Sequence, residues 1–186
     1  MLRMQRFADL LLWLSLALWL AFALVGGLAA MAIFPEAREL PLSLEGYEAF
    51  IAAEPTQGRQ LVAGFLVERV FTMSNTPRIL AAVVAAIVLA GQLLTQRHPA
   101  HPRLRLAALA LAGGAMLVSI LWAMPAFQSV DRAYREAAAA GQVEEALAQK
   151  PSVDAAHATA SRLATTEVAA LLALIGLTAI SGGRRG

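Results

Sequence analysis

The chain has 186 residues, 59% of them hydrophobic and 15% charged, with a formal net charge of +2 and a mean hydropathy of +0.62. Soluble domains sit nearer half apolar and a quarter charged, so an ordinary globular class is excluded. No cysteine is present, which removes disulfides, thiolate metal sites and a cysteine nucleophile. A small net charge without a basic stripe of interleaved aromatics argues against a nucleic-acid partner, despite a pI near 9.7.

The apolar excess is gathered into four runs, the mark of a membrane protein. The first is residues 10–34, "LLLWLSLALWLAFALVGGLAAMAIF". It is far longer than the apolar region of a signal peptide, so it is read as an uncleaved first helix. The second span covers 77–95, with its apolar run "ILAAVVAAIVLAGQLLT" from Ile79. The third is 104–124, "LRLAALALAGGAMLVSILWAM", and the fourth is 163–181. As helices the four apolar runs reach roughly 37, 26, 32 and 28 Å, against a hydrocarbon core of about 30 Å. Helix is the form that pairs every backbone amide in lipid, and none of the runs alternates as a barrel strand would. The expected fold class is therefore all-α: an integral membrane antiparallel four-helix bundle, one membrane domain over 1–186.

The connections 35–76 and 125–162 are too patterned to be linkers. In "TQGRQLVAGFLVERVFTM", residues 56–73, Val62, Leu66, Val70 and Met73 share one helical face, and Gln60, Gly64, Glu68 and Thr72 share another. The stretch is too short to span, which predicts an amphipathic helix at the interface or packed on the bundle. "SNTP", residues 74–77, then reads as an N-cap with proline in the first turn of span two. "RHPAHP" brings His98 and His101 close, but its prolines prevent a helical metal pair and no acid completes a shell. After Pro125, "AFQSVDRAYREAAAAG" predicts a solvated helix with Asp131–Arg135 and Arg132–Glu136 pairs and a stop at Gly141. "QVEEALAQKP" predicts a further short helix or turn, and Ser152 an N-cap with Asp154 complementing the helix dipole.

Orientation follows from the arginines, which outnumber lysine fourteen to one, as in a GC-rich bacterial genome. Arg3, Arg6, Arg97, Arg103, Arg105, Arg184 and Arg185 flank the termini and the short second connection, with Asp9 the one acid nearby. In residues 35–78 and 125–162, eight basic residues are diluted by eleven acids. The positive-inside rule places both termini and residues 96–103 in the cytoplasm of a bacterial inner membrane, and the long connections outside. Small residues at four-residue spacing suggest the packing faces: Ala82, Ala86 and Ala90; Ala110 and Gly114; Ala169 and Ala173; Gly26, Gly27 and Ala30.

Few polar residues enter the spans. Glu167 lies at or just inside the outer edge of span four, where a carboxylate is tolerable if hydrated or paired with Arg162 or Arg69. Asp154, His157 and Ser161 stand at i, i+3 and i+7, so a single face aligns them. They mimic a hydrolase triad but lack a nucleophile elbow, and the simpler reading is the wet end of a membrane helix. Gln92 and Ser119 are the strongly polar side chains well inside spans two and three, too few for an ordinary ion path. No histidine lies deep in a span, so bis-His haem has no ligands.

Several motifs occur in order: the opening "WLSLALWLAFALVGGLAA", "IFP" at the end of span one, "GRQLVAGFLVERVF" before span two, "WAMPAF" after span three and "HATASRL" before span four. With these, nearly the whole chain resembles the TMEM205-like, DUF4149 family of small four-span membrane proteins. That resemblance implies a helical membrane protein with no assigned activity, catalytic residue or cofactor. For some animal relatives a link to drug or metal handling is suggested. The expected function is a structural or interaction role at the membrane, with no enzymatic site, cofactor or metal. Its expected partners are lipid and, through residues 56–73 and 126–149, another protein. The alternative is a small transporter or metal- or drug-handling protein whose outward vestibule gathers Glu68, His157 and Glu167.

Overall fold

The computed structural model describes residues 2–40, 43–95 and 101–182. His98 and Arg97 of the "RHPAHP" turn, and the terminal Arg184 and Arg185, lie outside the described residues. The elements are helices α1 (Leu2–Glu39), α2 (Glu48–Ala53), α3 (Pro55–Thr95) and α4 (Pro102–Val118), a π-helical turn Ser119–Ala123, and helices α5 (Met124–Ala139) and α6 (Val143–Gly182). The fold is all-α, with four helical rods long and apolar enough to cross a membrane, each holding an 18-residue stretch of mean hydropathy 2.0–2.3. It is a multi-pass membrane bundle.

The rods are longer than the apolar runs that seed them. The helices α1, α3 and α6 have 38, 41 and 40 residues, and the run Pro102–Ala139 has 38. Each is therefore about 60 Å long, roughly twice the hydrocarbon thickness. This corrects the expected boundaries. Residues 56–73 are helical but form the first half of α3, and "SNTP" lies inside that helix rather than capping a new one. Ser152 likewise sits inside α6, so it is no N-cap and Asp154 meets no helix start. Pro35, Pro77 and Pro151 are all carried within helices. Each removes one backbone bond, a loss that neighbouring turns and tertiary packing outweigh in membrane helices.

Pro125 leaves a clearer trace. The π turn comes just before it, where Met124 N–H donates to the Ser119 carbonyl five residues back. Widening the turn accommodates a ring that would otherwise meet the preceding carbonyls. α5 ends as expected at Gly141, whose φ of 71° suits glycine. Glu144 and Glu145 then open α6 and complement its dipole.

Two compact units make up the chain: residues 1–24, 73–116 and 164–186, and residues 25–72 and 117–163. In the first, buried positions form heptad-like stripes: Leu12, Leu16 and Trp19 on α1; Ala82, Ala85 and Leu89 on α3; Ala112 and Met116 on α4; and Leu171 and Leu174 on α6. Large apolar side chains on the opposite faces, among them Leu10, Leu14, Ile87, Leu111 and Leu172, are exposed and face lipid. The expected small-residue faces are offset from these stripes. Ala82 is buried, but Ala90, Ala110, Ala169 and Ala173 are exposed.

The second unit has an aromatic core of Phe50, Leu61, Tyr134, Ala137, Ala138, Ala146 and Val153. Phe50 meets Tyr134 edge to face at 5.9 Å. Val62 is buried as expected, but its face-mates Leu66 and Met73 are 54% and 72% exposed, so the packed face is shifted toward Leu61, Ala63 and Val67. Two glycines permit close approach here. A Cβ on Gly58 would lie 2.9 Å from the Ile51 Cα, and one on Gly26 2.3 Å from the Phe71 ring.

Candidate functional site

The seam of the first unit carries its polar groups at two levels. Continuing the α3 stripe one step each way from Ala82, Ala85 and Leu89 gives Arg78 and Gln92, both 7% exposed. The α1 stripe begins at Asp9 and ends at Trp19, and the α6 stripe begins at Glu167 and reaches Thr178. The α4 stripe begins at Arg105, which is 1% exposed. Polar residues thus occupy positions that continue the core spacing.

At one level, Trp19 Nε1–H donates to Glu167 Oε1 at 2.8 Å, and Arg78 Nε lies 3.7 Å from the same oxygen. Glu167 and Trp19 are each 1% exposed. Three helices from distant parts of the chain, α1, α3 and α6, converge on one carboxylate. At the other level, Gln92 Nε2 donates to Asp9 Oδ1 at 2.8 Å, and Arg105 Nη2 donates to Gln92 Oε1 at 3.3 Å. The amide uses its donor toward the acid and its acceptor toward the guanidinium, so one side chain joins α1, α3 and α4. Along α1 the two levels are about 15 Å apart, with Leu12, Ser15 and Leu16 buried between them. Ser15 Oγ–H donates to its own helix at the Leu12 carbonyl.

In the second unit the polar centre is Arg135. Its Nη1 donates to Glu68 Oε2 at 2.8 Å, its Nε pairs with Asp131 Oδ2 at 2.6 Å, and its guanidinium lies 3.9 Å over the Phe65 ring. Burial pushes the Asp131 carboxyl up, Arg135 pulls it back and Glu68 adds to the rise. Burial also pushes the Tyr134 phenol up to about 12, with Asp131 and Asp154 contributing. Both residues lie on α5, beyond the apolar run 104–124.

The residues singled out in the sequence have separate partners. Glu68 takes Arg135. Asp154 pairs with Lys150 one turn earlier on α6, not with His157. His157, exposed, lies with its ring 6.3 Å from that of Phe127, and Ser161 is exposed and also engaged. The charge of Glu167 is met by Arg78 rather than by the expected Arg162 or Arg69, and its burial overturns its reading as a hydrated helix end. Sequence reasoning missed Trp19, Arg78 and Arg105 as members of polar clusters, and used Asp9 only as a charge count. The signal was present: 78, 82, 85, 89 and 92 make an unbroken seam spacing. Among the described residues, no group of three His, Asp or Glu side chains could hold a metal ion. Comparison with known proteins gives no match, whether against family models, curated proteins or solved structures.

Proposed function

We propose that this multi-pass protein is a structural or interaction component of a bacterial cytoplasmic membrane, not an enzyme, and a member of the TMEM205-like family it resembles. Both termini and residues 96–103 lie in the cytoplasm, and the connections 35–76 and 125–162 face outward, as the arginine distribution supports. The observation that carries the functional reading is the engagement of every singled-out polar residue within the chain: Glu68 by Arg135, Asp154 by Lys150, His157 against Phe127 and Glu167 by Trp19. The Glu68, His157 and Glu167 contacts each join two helices and the Asp154–Lys150 pair braces α6, whereas a transport vestibule or catalytic site needs polar groups turned toward a substrate. The bundle then serves to hold the polar face of α5 outside the membrane, where Gln128, Ser129, Arg132 and Glu136 are exposed.

The cysteine-free chain makes the test direct. Single cysteines at Ser129 and Ala100 are treated in intact cells with a membrane-impermeant maleimide. Labelling of the first alone supports the orientation, and labelling of Ala100→Cys overturns it. A photo-crosslinking amino acid is then placed at Arg132 and, as a lipid-facing control, at Leu172. A discrete protein adduct from position 132 and none from 172 supports the interaction role. Absence of an adduct from 132 in correctly oriented, folded protein removes it.

A further inference from the structure

The Arg78–Glu167 pair sits in a layer where a membrane bundle would ordinarily carry leucine or alanine. Arg78 is 7% exposed and Glu167 1%. Arg78 Nε makes no hydrogen bond, so attraction to Glu167 Oε1 at 3.7 Å is what offsets the cost of burying it. The Trp19 indole, donating at 2.8 Å, fixes the carboxylate from a third helix. Neither charge is tolerable alone in that layer. A polar residue at a seam position typically fixes helix register while costing stability, since every shifted arrangement leaves it unmatched. Leu16, Ala82 and Leu171, the apolar positions one step along the seam from it, interchange with little penalty and discriminate poorly between registers.

We propose that Trp19, Arg78 and Glu167 form a register key: a charge-neutral layer that selects how α1, α3 and α6 align. The three residues lie inside one compact unit, and their alignment of the helices is independent of which way the chain faces across the membrane and of what it binds.

The key is tested in the full chain carrying W13F and W122F, which leaves Trp19 as the one tryptophan of three and replaces side chains that are 39% and 61% exposed. The variants are E167L, with E167Q in its place should E167L not accumulate, and R78M/E167L. Each is read by thermal unfolding in detergent and by fluorine NMR of 5-fluorotryptophan at position 19. The single variant is expected to lose roughly 10 °C in apparent Tm, because it leaves a buried guanidinium uncompensated. The double variant is expected to recover most of that loss while showing several Trp19 resonances where the parent shows one. Three results each overturn the proposal: a single variant as stable as the parent, a double variant no better than the single, or a double variant with one sharp resonance. An interaction reading that fails its crosslinking test leaves these outcomes untouched.

Discussion

The two compact units solve the same problem, the placement of charge among packed helices, in opposite ways. In the first, charges are taken inside: Glu167 with Arg78 and Trp19 at one level, and Arg105 with Gln92 at the other, where Asp9 is half-buried, while the exterior is leucine, isoleucine and phenylalanine. In the second, the core is aromatic and the charges stay at its edge. Glu68, Asp131 and Arg135 retain 38%, 15% and 18% of side-chain exposure around the Phe65 ring. The difference teaches that the depth of burial decides the arrangement. A lipid-facing surface offers charge no partner, so polar groups must be satisfied from within the bundle. A partly exposed edge lets ion pairs form at a lower desolvation cost while the aromatic groups supply the cohesion.

The strongest way to break that comparison is to remove the aromatic core. Phe50→Ala deletes a ring that is 0% exposed and is expected to cost about 3–5 kcal/mol, read as a lowered denaturation midpoint in detergent. If the midpoint hardly moves, the second unit is not held by its aromatic cluster.

Salt separates the two kinds of polar group. Gln92→Ala is expected to cost about 1–3 kcal/mol, with nearly the same loss in 0.05 M and 1 M salt, because the side chain removed is uncharged, 7% exposed and bonded to a buried guanidinium. Arg135→Ala is expected to cost less, about 1–2 kcal/mol at low salt, and to lose much of that effect at 1 M, since its partners are partly hydrated. Equal salt dependence for the two variants would erase the distinction.

The remaining effect is invisible at neutral pH. Tyr134 holds its proton in the fold up to about 12, whereas an unfolded tyrosine ionises near 10. The unfolded chain therefore binds fewer protons between these values, and the stabilising contribution present below pH 10 is lost as pH rises toward 12. Stability measured across pH 9–12 should fall more steeply in the parent than in Tyr134→Phe. Parallel curves would show that the phenol is not shielded.

Much of this was legible because some signals are local. Four apolar runs of spanning length, the Asp131–Arg135 pair one turn apart, and the stop at Gly141 each depend on neighbours within a few residues, and each stands in the structure. Helix ends were misread where proline was taken as punctuation: Pro77 and Pro151 lie inside 41- and 40-residue helices. A single lost backbone bond is small beside the packing along a continuous rod, and that packing is not written in any short window.

The sequence by itself determined that the chain must be helical in a membrane, since long apolar runs leave no other way to pair their amides. It also held the seam spacing that includes Asp9, Trp19, Arg78, Gln92 and Glu167. Only the tertiary structure decided which of several apolar faces turned inward and which arginine met Glu167. Arg162 and Arg69 were nearer guesses by position, but the rotation and register of α1, α3 and α6 brought Arg78 and Trp19 to the carboxylate instead. Those rotations follow from the fit of all the buried side chains at once, so no one helix carries the answer in its own residues.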